Sequence, residues 1–131
     1  MKQCVMIEVA GNPCHLFYNN QAMFDLREMF PGEGGFLEVM EGDSRESYEA
    51  MLKVFGTLAE QGELARRHYG YDPAPIPDIG GLEWLLDMGD WVNIKNGIYV
   101  AVTLGINHSV ESLEDVDITL LEFQRQQEKN V

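Results

Sequence analysis

The chain has 131 residues, of which 45% are apolar and 24% charged, and its 22 acidic and 9 basic side chains give a net charge of −13. This length predicts one domain with a substantial core, since such a chain buries roughly two-thirds of its unfolded surface. A strongly negative field repels phosphate backbones and anionic lipids, so nucleic acids and membranes are not expected partners. No apolar run approaches the ~20 residues of a membrane span, and no signal peptide precedes Cys4, which predicts a cytoplasmic protein with reduced thiols.

The opening segment predicts a β-hairpin over about residues 4–18. Its two apolar runs, CVMIEV and CHLFY, stand on either side of a Gly-Asn-Pro turn at 11–13. This turn places Val9 opposite Cys14, and Cys4 then lies opposite Asn19, several residue pairs away from Cys14. The two sulfurs are therefore expected to be too far apart to form a disulfide.

Apolar stripes at helical spacing predict the next elements. They are a helix at about 21–30, a short helical segment within 36–40, and a long helix at about 44–69. Asn19 or Asn20 caps the first helix, and Asp43-x-x-Glu46 is a capping box for the long one. Gly62 is a candidate bend in the long helix, because a helical glycine costs about 1 kcal/mol relative to alanine.

Residues 70–81 (GYDPAPIPDIGG) predict a stiff loop within the same domain, because proline and glycine recur along them. Apolar residues resume directly afterwards. A short helix that ends near Gly89 is predicted from Leu82, Trp84, Leu85, Leu86 and Met88.

Local rules disagree over residues 90–106. Asn96-Gly97 lies between two apolar runs, which is the strongest short hairpin signal. The helical alternative takes Asp90 as its cap and places on one buried face Trp91, Ile94, Ile98, Ala101 and Val102. Propensity alone slightly favours the hairpin.

A last helix is predicted behind a capping box at Ser112-x-x-Asp115. Its apolar positions are Val116, Ile118, Leu120, Leu121 and Phe123. The final residues, about 124–131, form a polar tail that is expected to fray.

The sequence shows no residues at the spacing expected of a catalytic or metal-binding site. Its three histidines lie in three different predicted elements, and none is paired at zinc-ligand spacing on one helix face. Four acids between 111 and 117 lack the central glycine and terminal glutamate of a calcium loop. Serine and cysteine side chains have no base or electropositive helix end beside them. We therefore predict a non-enzymatic protein without catalytic residues, metal ion or cofactor.

The order of the segments resembles a known family. An opening hairpin leads into YNNQAMFDLREMFPG, a long helix ends in LARRHYGYDPAP, a third apolar block reads WVNIKNGIYVAVTLGI, and the chain closes with EDVDITLLEFQRQ. Over nearly the whole chain, this arrangement is similar to the tail assembly chaperones of long-tailed bacteriophages and prophages, especially those of Gram-positive hosts. The resemblance lies in the order of the segments and in the general residue pattern of each one.

This resemblance implies a mainly α (α+β) domain, in which a small helical body follows an N-terminal β-hairpin and residues 91–106 are helical. It also implies a non-enzymatic protein of the bacterial cytoplasm. Such a protein binds the phage tape measure protein and keeps it soluble until tail tube subunits polymerise around it. The family shares no catalytic residues, so none is transferred to this chain.

A chaperone of an extended substrate needs many copies and an apolar surface, which predicts a homo-oligomer. The seven methionines fit such a surface, because methionine adapts to variable apolar partners. We expect a partner helix to dock in an apolar groove. Candidate partner-binding residues lie on the long helix and on the last helix: Met51, Phe55, Leu58, Leu120, Leu121 and Phe123.

An alternative function is that of an acidic protein that mimics nucleic acid and inhibits a nucleic-acid-binding enzyme. The net charge of −13 favours this alternative. The scatter of aspartate and glutamate among caps and apolar stripes disfavours it, because a mimic needs them on one face at phosphate-like spacing. A continuous acidic stripe would indicate the mimic, and an exposed apolar groove would indicate the chaperone.

Overall fold

The computed structural model describes residues 3–115, with side-chain detail through Asn107. The described elements are β1 (Cys4–Val9), β2 (Asn12–Phe17), α1 (Asn20–Met29), α2 (Gly35–Met40), α3 (Arg45–His68), α4 (Ile79–Leu82) and α5 (Met88–Asp115). The mainly helical α+β class with an N-terminal antiparallel hairpin is confirmed. The predicted last helix beyond residue 115 lies outside the described residues.

The hairpin turns one step earlier than the sequence predicted. Ala10 and Gly11, with φ of 50° and 80°, form the two-residue loop, which is the backbone geometry of a type I′ turn. Val9 therefore pairs with Asn12, not with Cys14, and the predicted register is wrong. Pro13 fits within β2 because alternation along such a hairpin points its nitrogen away from the partner strand.

Neither cysteine forms a disulfide in this register. Cys4 pairs with Phe17, while Cys14 pairs with Ile7. The two strands bury alternate side chains, so that one face of the hairpin joins the core. The buried members of this face are Ile7, Val9, Cys14 and Leu16.

Helix α3 is the centre of the core and begins one residue later than predicted. The Ser44 hydroxyl, not the Asp43 carboxylate, caps it by accepting a hydrogen bond from the Ser47 N–H at 3.1 Å. Asn19 caps α1 in the predicted way by accepting from the Ala22 N–H at 2.9 Å. α3 then continues unbroken through Gly62 to His68.

Helix α5 resolves the conflict over residues 90–106 in favour of the helix. Gly97 is buried against the hairpin, where an added Cβ would lie 2.9 Å from the Ile7 side chain. Glycine is therefore required at 97 for close packing and does not mark a turn. Ile94 and Ile98 are fully buried beside it, so tertiary burial outweighs the local hairpin preference.

Both predicted caps along α5 are wrong. Asp87 and Asp90 hold the start of the helix, each accepting a hydrogen bond from the other's backbone N–H, at 2.9 and 3.1 Å. Asp90 is thus the inner member of a reciprocal capping box, and the helix begins at Met88. The predicted box at Ser112 and Asp115 falls inside the same helix and begins no new one.

Candidate partner-binding surface

The chain between α3 and α5, here called the connecting segment (residues 70–87), is anchored to α3 at three points. The first anchor is the Glu63 carboxylate, which is only 5% exposed. It accepts hydrogen bonds from Arg66 at 2.6 Å, from Arg67 at 2.9 Å and from the Ala74 N–H at 2.8 Å. Burial disfavours the charged carboxylate, but these hydrogen bonds outweigh it and hold the pKa of Glu63 below its ordinary value.

The two arginines extend this first anchor into the loop. Arg66 donates to the Asp72 carbonyl at 3.1 Å, and Arg67 donates to the Ala74 carbonyl at 3.0 Å. The Arg66 guanidinium also lies over the Tyr71 ring, 5.5 Å from its centroid. The proline-rich stretch is therefore fixed by charge-assisted hydrogen bonds at its start.

The second anchor is a notch in α3 at Gly56. The Ile79 side chain occupies this notch so closely that a Cβ at position 56 would collide with its terminal methyl group. Glycine at this helical position is explained by the packing, which offsets its low helix propensity.

The third anchor is Tyr48, near the start of α3. Its hydroxyl donates to the Glu83 carbonyl at 2.7 Å, and its ring contacts the Trp91 ring with centroids 4.9 Å apart. Burial, followed by the nearby Glu83 and Asp90 charges, raises the pKa of Tyr48 above its ordinary value, so the hydroxyl stays protonated and able to donate. From the first anchor to the third, the segment runs antiparallel to α3 over about 22 Å of helix.

This anchored segment carries exposed apolar side chains at its α5 end. Within the segment, Trp84 is 79% and Leu85 53% exposed, and Met88, the first residue of α5, is 66% exposed. These three residues are here called the Trp84 ridge. The apolar spacing predicts one helix through 82–88, but α4 ends at Leu82 and Leu86 packs against the core. Because tryptophan is strongly enriched among the residues that dominate binding energy, an exposed tryptophan on a fixed backbone is a candidate contact.

A groove of about 640 Å³ lies beside the middle of the segment, next to the second anchor, and is here called the Met29 groove. It is lined by Met29, Lys53, Gly56, Thr57, Glu60, Ile76, Pro77 and Ile79. Its apolar members come from α1 and the connecting segment, and a lysine and a glutamate from α3 contribute its charged groups. A groove of this kind can accept apolar side chains from a partner helix.

The structure places the sequence-predicted site residues elsewhere. Met51, Phe55 and Leu58 have no exposed surface and form the centre of the core, so a partner cannot reach them in the folded domain. The candidates on the last helix, Leu120, Leu121 and Phe123, lie outside the described residues. The sequence pattern does not single out the connecting segment as a site, although its apolar Trp84-Leu85 pair after a proline-rich stretch is a signal for one.

In the part of the chain that the structure describes, no group of three or more histidine, cysteine or acidic side chains is placed to hold a metal ion. Burial raises the pKa of the Cys4 and Cys14 thiols, which lowers the fraction of reactive thiolate. Burial, together with the Arg66 charge, lowers the pKa of His15.

None of the helices within residues 3–115 has the length and apolar character needed to cross a bilayer. Comparisons of the chain with protein-family models, with curated proteins and with solved structures give no match.

Proposed function

We propose that this protein is a non-enzymatic tail assembly chaperone of a long-tailed phage or prophage. It binds the tape measure protein in the bacterial cytoplasm and keeps it soluble during tail assembly. The order of the sequence segments and their general residue pattern support the assignment to this family. The Trp84 ridge supports the binding role and is the observation that carries the proposal.

The three anchors explain how this surface stays available for binding. Hydrogen bonds at Ala74 and Glu83, with the Ile79 contact between them, hold the backbone of the connecting segment against α3. A surface ordered before binding loses less conformational entropy when the partner arrives. The acidic charge of −13 favours solubility of a complex that contains an apolar substrate.

The substrate that fits this surface is an amphipathic helix with apolar anchors at i, i+3 or i+4, and i+7. Its side chains would contact the Trp84 ridge or enter the Met29 groove. Methionine at both places, Met88 and Met29, allows repacking around different anchors along a long, repetitive substrate.

Coexpression with the tape measure protein encoded in the same phage or prophage tests the proposal. We expect the wild-type chain to move the tape measure protein from the pellet to the soluble fraction and to copurify with it. Trp84→Ser should abolish both effects. Phe24→Ser is the matched control, because Phe24 is a 54% exposed aromatic residue on α1, and it should behave like the wild type.

Tryptophan fluorescence gives a second readout with purified components. In a Trp91→Phe variant, Trp84 is the remaining tryptophan of the chain, and its emission should shift to shorter wavelength when a tape measure segment covers it. A tape measure protein that is equally insoluble with and without the wild-type chain would contradict the proposal. Tight binding to a DNA-binding enzyme that is unaffected by Trp84→Ser would support the acidic mimic.

A further inference from the structure

The solvent-facing side of α5 is uncharged over about four helical turns. Between residues 92 and 107, every exposed position carries valine, asparagine, tyrosine, threonine or isoleucine. Lys95, the one charged residue of this stretch, is half-buried. In a chain that is 24% charged, a water-facing helix side normally carries charges, so this side requires another explanation.

The exposed side chains follow a coiled-coil spacing. Val92, Asn96, Tyr99, Thr103 and Ile106 are separated by alternating steps of four and three residues, and all five are exposed. Val92, Tyr99 and Ile106 occupy the d positions of a heptad, and the two polar residues occupy the a positions. We call these five residues the α5 seam.

The opposite side of α5 attaches the helix to its own domain. Ile94, Ile98 and Ala101 are fully buried, and Gly97 lies against Ile7 of the hairpin. Asn93, beside the seam, donates to the Glu8 carbonyl at 2.9 Å and fixes the helix along the β1 edge. The seam is therefore exposed on the side of α5 away from the hairpin, and its last residue, Ile106, also borders a cavity lined by Tyr18 and Met23. A second helix can reach the exposed side chains without rearranging the core.

We propose that the α5 seam is a homodimer interface, in which two copies of the chain pair through parallel α5 helices. A two-fold interface brings each residue close to its own symmetry copy, so a charged residue there would meet the same charge. An uncharged seam avoids this repulsion in a chain of net charge −13. A basic partner would instead be matched by an acidic face.

The order of side chains along the seam favours parallel pairing. In a parallel pair each position faces itself, so Asn96 meets Asn96 and Thr103 meets Thr103. The apolar d residues, Val92, Tyr99 and Ile106, likewise each face their own copy. An asparagine side chain both donates and accepts, and an asparagine pair at an a position fixes the register of parallel helices. Antiparallel pairing would instead place these polar groups opposite d residues and leave hydrogen bonds unmade.

Analytical ultracentrifugation of the full-length protein tests this interface without any partner, so its outcome is separate from that of the proposed function. We expect a wild-type dimer at micromolar concentration. Asn96→Lys and Asn96→Glu should each weaken dimerisation more than about tenfold. Both substitutions improve helix propensity at an exposed position, so circular dichroism should show an unchanged fold.

Mixing the two variants is the decisive measurement. An equimolar mixture of Asn96→Lys and Asn96→Glu should restore dimers, because opposite charges then face each other at one layer. Gln21→Lys adds the same single positive charge as Asn96→Lys, but at an exposed position on α1, and it should dimerise like the wild type. A monomeric wild type, or single variants that dimerise like the wild type, would overturn the interface. Failure of the mixture to recover would overturn the parallel order.

Discussion

Gly62 of α3 lies so close to the backbone carbonyl of His15 that no side chain fits between the helix and β2. A Cβ at position 62 would collide with the His15 carbonyl group. On the other side, the Asn93 amide donates to the Glu8 carbonyl of β1. Helices thus cover parts of both outer edges of a two-stranded sheet, which limits edge-to-edge pairing with other chains.

Gly62→Ala should lower the free energy of unfolding by about 2 kcal/mol or more. Alanine gains about 1 kcal/mol in helix propensity, but the collision is with backbone and forces α3 and the hairpin apart. Chemical denaturation measures the change. Gly32→Ala is the control, because a Cβ at 32 meets open space, and this variant should be at least as stable as the wild type. A Gly62→Ala variant of wild-type stability would show that the close approach can relax freely.

Glu63→Gln should destabilise the protein by roughly 2 kcal/mol at pH 7, because it removes the charge that Arg66 and Arg67 share. The folded-state pKa of Glu63 lies below the ordinary glutamate value of 4.5. The ionised carboxylate therefore contributes stability above about pH 4.5, and this contribution is lost as the pH falls through the folded pKa.

The difference in unfolding free energy between wild type and Glu63→Gln should thus be largest near neutral pH and shrink below pH 4.5. Denaturation at a series of pH values measures it. A difference that stays constant from pH 7 to the acid limit would mean that the charge of Glu63 does not stabilise the connecting segment.

The pattern of the sequence predicts the elements of this fold better than their contacts. The cap at Asn19, the start of α3 to within one residue, the stripe of α3 and the existence of the hairpin follow from local spacing. Asn96-Gly97 misled because its local preference is for a turn, while burial against Ile7 requires a glycine in a helix. Such a requirement comes from an element far away in the chain, which local rules do not include.

The candidate site shows the same limit more strongly. Met51, Phe55 and Leu58 form an apolar stripe whether the stripe meets a partner or the core, and spacing alone does not distinguish these cases. The spacing around Trp84 predicts a short helix that ends near Gly89, whereas α4 ends at Leu82. Its exposure follows from the anchor at Tyr48 and Glu83, a contact between residues that local periodicity does not connect.

Tyr48→Phe should cost about 1 kcal/mol by removing the hydrogen bond to the Glu83 carbonyl, while the ring contact with Trp91 remains. The effect should be local. Hydrogen exchange followed by mass spectrometry should show faster exchange in residues 79–87 and unchanged exchange in the hairpin. Equal acceleration in both regions would indicate global destabilisation instead of release of this anchor.

Met51→Ala and Met88→Ala should have different effects on stability and binding, because one residue lies in the core and the other on the surface. Met51 has no exposed surface, so its truncation should cost roughly 2–5 kcal/mol. Met88 is 66% exposed, so its truncation should change stability by less than about 0.5 kcal/mol and weaken copurification with the tape measure protein. Thermal melting and copurification of the same two variants give both readouts. Wild-type copurification by Met88→Ala would remove this residue from the binding surface.

Leu121 and Phe123 stay predicted partner contacts, because an apolar pair between an acidic stretch and a polar tail matches a surface that binds a helix. We expect Leu121→Asp and Phe123→Ala to keep the wild-type melting temperature and to lose copurification with the tape measure protein. Gln124→Ala, a neighbouring polar change, is the control and should leave both properties unchanged. A parallel loss of stability and binding would place the pair in the core. A stable double variant that still copurifies would show that the tape measure protein binds without them.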